Sequence, residues 1–448
     1  MMHINCIVSL IKRVEKSKPC HFTLLFTHQK LRLCVKSQTF SASTKIIRQD
    51  CIESNNNVTN VNNYIKESCD TNEKMITNEY INHENLKSHV NNINPTFAEV
   101  CPAKYMKTNI KIIDTLYLME EKTAEKFSNL IIDDLSKNMT YVAEANPGIG
   151  LLTEKLLNAG VTRIRAYESQ ECFFPALRQL QKKYSSRLDI IKGNLFKMSK
   201  LHYMDSHDQK GRVKSMFKDT KPVLWSDKTY MQVIGAVADF VFLKHLILCV
   251  IFQSCFMSNG RPCFYLAIPP SMWNIINCRQ TNGRMHSRHI LFQILFDFKY
   301  YGELNRLSFV PWQKEKLIKR QNYKKYDHQT LCVVKIEPKA NLFTDVLKPT
   351  QLLPFWYFIK HHITSNKRRL IPELEKWIPG CGVRLIAKDY NIFTQFIDLK
   401  PCEVLDIYKE FESWPEYKTS LFLSSVNTYI QSMHQNITVK YTYDDILE

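Results

Sequence analysis

Three polar side chains, each following a short apolar run, mark the chemistry this chain can attempt. Glu144 follows a run at 139–143 and opens the stretch Glu144-Ala145-Asn146-Pro147-Gly148-Ile149-Gly150. Glu168 follows the run 163–167, and Asn194 follows 188–191 and Gly193. Glycines let a backbone approach a ligand closely, and a helix opening just after them offers unpaired N–H groups. A carboxylate at the end of the next strand can accept both hydroxyls of a ribose. A polar side chain at a third strand end can bond an adenine edge, with Phe196 lining the ring. Together these residues describe a nucleotide-type cofactor site. A full dinucleotide fingerprint needs another glycine three residues after the second, and Thr153 stands there. That disfavours NAD and favours a smaller ligand such as S-adenosylmethionine. The competing reading is a parallel sheet whose glycines only make turns.

The elements that must position these residues follow from hydrophobic spacing. Residues 113–132 show helical spacing. Strands at 139–143, 163–167, 188–191, 231–237 and 262–268 alternate with helices at 151–159, 171–184 and 238–256. Such alternation predicts a parallel sheet covered by helices on both faces. A helix at 287–298 precedes a closing pair of strands at 304–309 and 331–336, and 202–219 reads as a polar surface loop. Beyond Pro338 the spacing turns helical at 349–362, 370–377 and 401–412, punctuated by prolines. The expected fold class is therefore α/β, a Rossmann-like parallel sheet with a smaller C-terminal helical domain. Its expected bounds are 107–340 and 341–448.

Charge and composition constrain partners. The 448 residues carry 61 basic and 43 acidic side chains, a net +18, which suggests a nucleic acid before an anionic membrane surface. The 14 cysteines form no C-x-x-C pair and no zinc spacing, which implies a reducing compartment with neither a disulfide framework nor a metal site. Residues 1–50 are basic, acid-poor and partly amphipathic, as a mitochondrial targeting segment is; a basic RNA-binding tail is the alternative. Residues 51–106, Asn-rich at their start, read as a disordered linker. No segment reads as a membrane span: the most apolar, 241–257, is short and interrupted by Lys244, His245 and Gln253.

The run AEANPGIGLLTEKLLNAG, Glu168 and GNLFK resemble the ribosomal RNA adenine N6-dimethyltransferases. The resemblance is strongest to their mitochondrial branch, which includes B-type transcription factors, and IEPKANLF at 336–343 also fits that branch. It covers roughly 107–430 and implies an α/β, Rossmann-like S-adenosylmethionine methyltransferase fold with a smaller C-terminal helical domain. It implies that Leu118, Glu144, Asn146, Gly148, Gly150, Glu168 and Asn194 line an S-adenosylmethionine pocket. Leu116-Tyr117-Leu118 falls where the family closes an Asn-Phe-Leu segment over the cofactor. Two departures stand out. The family usually has Asp at Asn194. Active members end the fourth strand with Asn-Leu-Pro and an aromatic, which hold and stack the flipped adenine. Here Ala236, Val237, Ala238 and Asp239 stand there, with Phe240 next. No catalytic residue is expected, and methylation is expected to be weak or lost.

Residues 299–326 interleave cations and aromatics: Lys299, Tyr300, Tyr301, Arg306, Trp312, Lys314, Lys316, Lys319, Arg320, Tyr323, Lys324, Lys325 and Tyr326. Cations pair with phosphates and aromatics stack on bases. A second cluster holds Lys360, His361, His362, Lys367, Arg368 and Arg369; a solvated loop is the plainer reading of either. The resemblance points to a transcription initiation factor in the mitochondrial matrix (nucleoid). Such a factor, expected to be a monomer, would help the mitochondrial RNA polymerase melt promoter DNA. The alternatives are an active dimethyltransferase of mitochondrial small-subunit rRNA and a cofactor-free RNA-binding assembly factor. The acidic tail 441–448 reads as a frayed end or a partner contact.

Overall fold

In the computed structural model, residues 83–107, 113, 115–277, 286–312, 327–363 and 368–436 are described. Nine strands follow in chain order: β1 Tyr117–Leu118, β2 Val142–Ala145, β3 Ile164–Glu168, β4 Leu188–Lys192, β5 Met231–Ala236, β6 Pro262–Ile268, β7 Phe296–Asn305, β8 Phe309–Val310 and β9 Thr330–Pro338. Seven of them form one sheet in the order β4-β3-β2-β5-β6-β9-β7, and β1 pairs antiparallel with β8. The pairs from β4 to β6 are parallel; β9 runs antiparallel to both β6 and β7. The chain builds β2, β3 and β4 outward, then returns to lay β5 on the other side of β2. Ligands of such sheets bind at that reversal, beyond the carboxyl ends of the strands.

Burial explains the strand sequences. Every residue of β5 and β6 is buried, and central parallel strands covered on both faces read as continuous apolar runs. The helices are α1 His83–Ile93, α2 Pro95–Val100, α3 Glu121–Leu135, α4 Leu151–Asn158, α5 Phe174–Lys183, α6 Met198–Asp208, α7 Arg212–Met216, α8 Phe240–Phe252, α9 Pro270–Asn277 and α10 Ser287–Leu295. The C-terminal region adds α11 Leu352–His362, α12 Leu370–Glu375, α13 Gly382–Ile386, α14 Pro401–Ser413 and α15 Leu421–Asn436. Helix α8 is apolar nearly all round because it is buried nearly all round. Its core is continuous with that of α10 and, through Phe355, Phe358, Tyr408 and Phe411, with the C-terminal helices. No helix among the described residues is long and apolar enough to cross a membrane.

Several expectations change. Residues 1–82 of the targeting segment and linker lie outside the described residues, as does the tail from 437. The rest of the linker, from His83, is ordered: Leu86, Val90, Phe97, Tyr105 and Met106 are buried in one cluster with Tyr117, Phe173 and Trp312. These apolar residues are sparse in sequence, but they converge on Tyr117 and Val310 of the β1–β8 pair, which average composition cannot reveal. The expected loop at 202–219 contains most of α6 and all of α7; Arg212 bridges them to Asp205 and Asp208 at 3.0 and 2.6 Å. The expected helix at 287–298 stops at Leu295, and the next ten residues form β7 rather than a strand at 304–309. Residues 113–132 break into β1 and α3.

Candidate functional site

The Glu144–Gly150 turn sits at the reversal point. Asn146, Gly148 and Gly150 all have positive φ (55°, 60° and 88°), so the chain turns sharply out of β2 into α4. Glycine is required twice over at Gly150: a Cβ there would lie 2.8 Å from Leu180 Cδ2. Thr153 replaces a packing glycine with a tether. Its hydroxyl donates to Glu144 Oε2 at 2.6 Å, linking α4 to β2. Glu144 is 2 % exposed, and burial pushes its carboxyl up to about 7.

Glu168 is wholly buried at the end of β3. Its Oε1 accepts from the Tyr117 hydroxyl at 3.1 Å and from the Ser169 and Gln170 amides at 2.7 Å each. Its Oε2 accepts from the Gly148 amide at 3.2 Å. Burial raises its carboxyl and, more strongly, the Tyr117 phenol. Above Gly148 lie Tyr117 and Phe97, 3.3 and 3.8 Å from where a Cβ would stand. Phe97 stacks on Phe173 with ring centroids 5.8 Å apart, and Tyr105 packs on Tyr117 at 5.0 Å. Leu118, 8 % exposed, pairs with Phe309 across β1 and β8. At the end of β4, Asn194 Oδ1 accepts from the Phe196 amide at 2.9 Å, and Phe196 packs on Phe242 at 4.8 Å.

The seven residues expected to line a pocket thus gather near one end of the sheet, where the chain's own groups already use several of the bonds that S-adenosylmethionine would need. Glu168 is buried and accepts from four donors of the chain. Two aromatic rings lie over Gly148, and the acceptor oxygen of Asn194 caps the following turn. Asn146 stands apart from the other six: its side-chain N and O are buried without a hydrogen-bond partner.

The end of β5 carries no base-holding group. Ala236 and Val237 are buried in the core, and Ala238 offers no side-chain donor or acceptor. Asp239 caps α8, its Oδ1 accepting from the Val241 amide at 3.0 Å. Phe240 lies under Arg288, whose guanidinium carbon is 5.5 Å from the ring centre.

A curated relative, mitochondrial dimethyladenosine transferase 2 of Drosophila melanogaster, is 31% identical over 370 residues, covering 72% of this chain and 82% of that protein. The chain belongs to the mitochondrial dimethyladenosine transferase 2 family. The Mus musculus and Homo sapiens proteins of the same name are 23% and 24% identical over 58% and 59% of this chain. No protein-family model matches. Among solved structures, a dimethyladenosine transferase from Plasmodium falciparum aligns over 64% of this chain and 95% of its own, at 13% identity and a TM-score of 0.42.

The basic residues separate into two kinds. Lys314, Lys316, Lys319, Arg320, Lys324, Lys325 and Lys367, with Tyr323 and Tyr326, lie outside the described residues. Arg306 is structural: it is 6 % exposed and donates to the Phe309 and Pro311 carbonyls at 2.8 and 2.6 Å. Trp312 is buried too, its indole N–H donating to the Phe309 carbonyl at 2.5 Å. Arg368 bonds the His361 carbonyl, while Arg369 is exposed beside Phe393. Lys299 and Tyr300 remain exposed on β7.

Sequence spacing reveals no metal site, yet tertiary structure gathers two sets of potential ligands: His245, Cys249 and Cys255, and His361, His362 and Glu373. The second set is an ion-pair network. Glu373 binds Lys376 at 2.6 Å and Arg368 at 3.7 Å, and His362 Nε2 accepts from the Trp377 indole at 3.3 Å.

Proposed function

We propose that this protein is a transcription initiation factor of the mitochondrial matrix (nucleoid). In this reading it holds melted promoter DNA for the mitochondrial RNA polymerase, as a monomer, and has lost adenine methylation. The observation that carries the proposal is the end of β5. Where a methyltransferase of this kind needs an amide acceptor and a stacking ring for a flipped adenine, this chain has Ala236, Val237, Ala238 and a helix-capping Asp239.

The closed cradle supports the same reading. When bound, S-adenosylmethionine supplies a methyl group; here Glu168, Tyr117, Phe97 and the Gly148 amide instead hold one another. The work left to the fold is positional. Its net +18 charge draws phosphates, and exposed aromatics such as Tyr300 offer faces for unpaired bases.

A promoter run-off assay tests this, using purified polymerase with and without the full chain. Promoter-specific transcript should rise on addition; an unchanged yield would sink the proposal. The alternative is an active mitochondrial small-subunit rRNA adenine N6,N6-dimethyltransferase. Transfer of labelled methyl from S-adenosylmethionine to an rRNA hairpin, abolished by Gly148→Asp, would establish it instead.

A further inference from the structure

Behind the sheet end lies a cluster that neither the cradle nor the basic residues use. His245 and Cys249 stand one turn apart on α8, with Cys249 Sγ 3.3 Å from His245 Nε2. The chain then leaves the helix through Gln253 and Cys255, both with positive φ (47° and 54°) although neither is glycine. Non-glycine residues adopt that left-handed conformation only at a steric cost between Cβ and the following carbonyl. Its effect is to double the chain back and return Cys255 to the helix face. The ligand atoms of His245, Cys249 and Cys255 all lie within 4.8 Å of one another, and the three residues are 2 %, 0 % and 3 % exposed. His202, on α6, faces them with its ring centre 6.4 Å from that of His245.

We propose that His245, Cys249 and Cys255 form a structural zinc site, with His202 as the fourth ligand. Two cysteines and two histidines are a standard closed tetrahedral set for zinc. The charges favour it. Two thiolates and two neutral imidazoles cancel the +2 of the ion, so the unit is neutral where its neighbours are Phe217, Phe242 and Phe256. Zn–S and Zn–N distances of about 2.3 and 2.0–2.1 Å ask the three clustered atoms to draw together and the His202 ring, 6.4 Å from that of His245, to swing in toward them. Each thiol loses its proton to solvent as the ion binds, with no redox step. The site would clamp α6 to α8, the helix that starts at the altered β5 end. It thereby fixes the insert against the sheet without touching a substrate.

The full chain, purified without chelators and without a histidine tag, should carry about one zinc per molecule by elemental analysis. Cobalt exchanged into it should give the intense visible bands of a tetrahedral site and a thiolate charge-transfer band. Cys249→Ser with Cys255→Ser should lower zinc content about tenfold or more; His202→Ala should weaken zinc affinity about 10–100-fold. Because the double variant can fail to fold, the wild-type protein supplies a second measurement: stripping zinc with a strong chelator should add two thiols to a Cys-reagent titration. Less than a tenth of an equivalent of zinc together with a featureless cobalt spectrum would overturn the proposal. So would a Cys249–Cys255 disulfide found by intact mass.

Discussion

Glu144 gives the sharpest physical test of the turn. Its carboxyl is pushed from the usual 4.5 up to about 7 because it is buried, with Thr153 as a hydrogen-bond donor and Glu168 nearby. In the unfolded chain the group ionises near 4.5, so between 4.5 and 7 the folded state binds more protons. Its contribution is therefore fully present below pH 4.5 and is lost as pH rises through 7. A rise of this size corresponds to about 3 kcal/mol, since each pKa unit is worth about 1.4 kcal/mol. Glu144→Gln keeps the shape and the acceptor for Thr153 but cannot ionise. Urea unfolding of both proteins across pH 4.5–8 should give a variant about 1 kcal/mol less stable than wild type at the acid end, for its imperfectly matched amide. It should be about 2 kcal/mol more stable at pH 8. Glu168 is raised as well and tilts both profiles equally, so only the difference between them matters. Parallel profiles would show that Glu144 is ionised and solvated in the fold, and the closed cradle would fall with it.

Calorimetric titration with millimolar S-adenosylmethionine should give no heat, because Glu168 is wholly buried and Tyr117 and Phe97 lie over Gly148; saturable binding would show that the aromatic cover opens. Gly150→Ala should cost about 1–3 kcal/mol in urea unfolding, since it adds a positive-φ penalty to a 2.8 Å contact with Leu180. Arg306→Ala should cost about 1–3 kcal/mol by leaving the buried Pro311 carbonyl without its Arg306 donor and the Phe309 carbonyl with the Trp312 indole alone, while nucleic-acid affinity of the folded protein stays unchanged. By contrast, Lys319→Ala with Arg320→Ala should leave stability intact and flatten the salt dependence of DNA binding. The slope should change by about 0.7–0.9 for each phosphate that is no longer neutralised, and an unchanged slope would remove these residues from the nucleic-acid face.

Local sequence patterns set the architecture around the site. Strand–helix alternation, an acid before a Gly-x-Gly turn, and polar groups at three successive strand ends have local causes. They place Glu144, Glu168 and Asn194 at one end of a parallel sheet. That Ala236, Val237 and Ala238 carry no polar side chain is also legible in the sequence, because residue type alone decides it. How those residues are used depends on long-range packing. Glu168 reads as a ribose acceptor, and only the fold shows that Tyr117 and the Gly148 amide bond it. Phe97 reads as part of a disordered linker until it packs over Gly148. Arg306 reads as a phosphate contact until its guanidinium is found buried on two carbonyls. His245, Cys249 and Cys255 show no ligand spacing until a positive-φ turn folds one thiol back onto the helix. In each case the deciding partner is distant in sequence or set by a backbone reversal, and burial then fixes which hydrogen bonds and charges the side chain can keep.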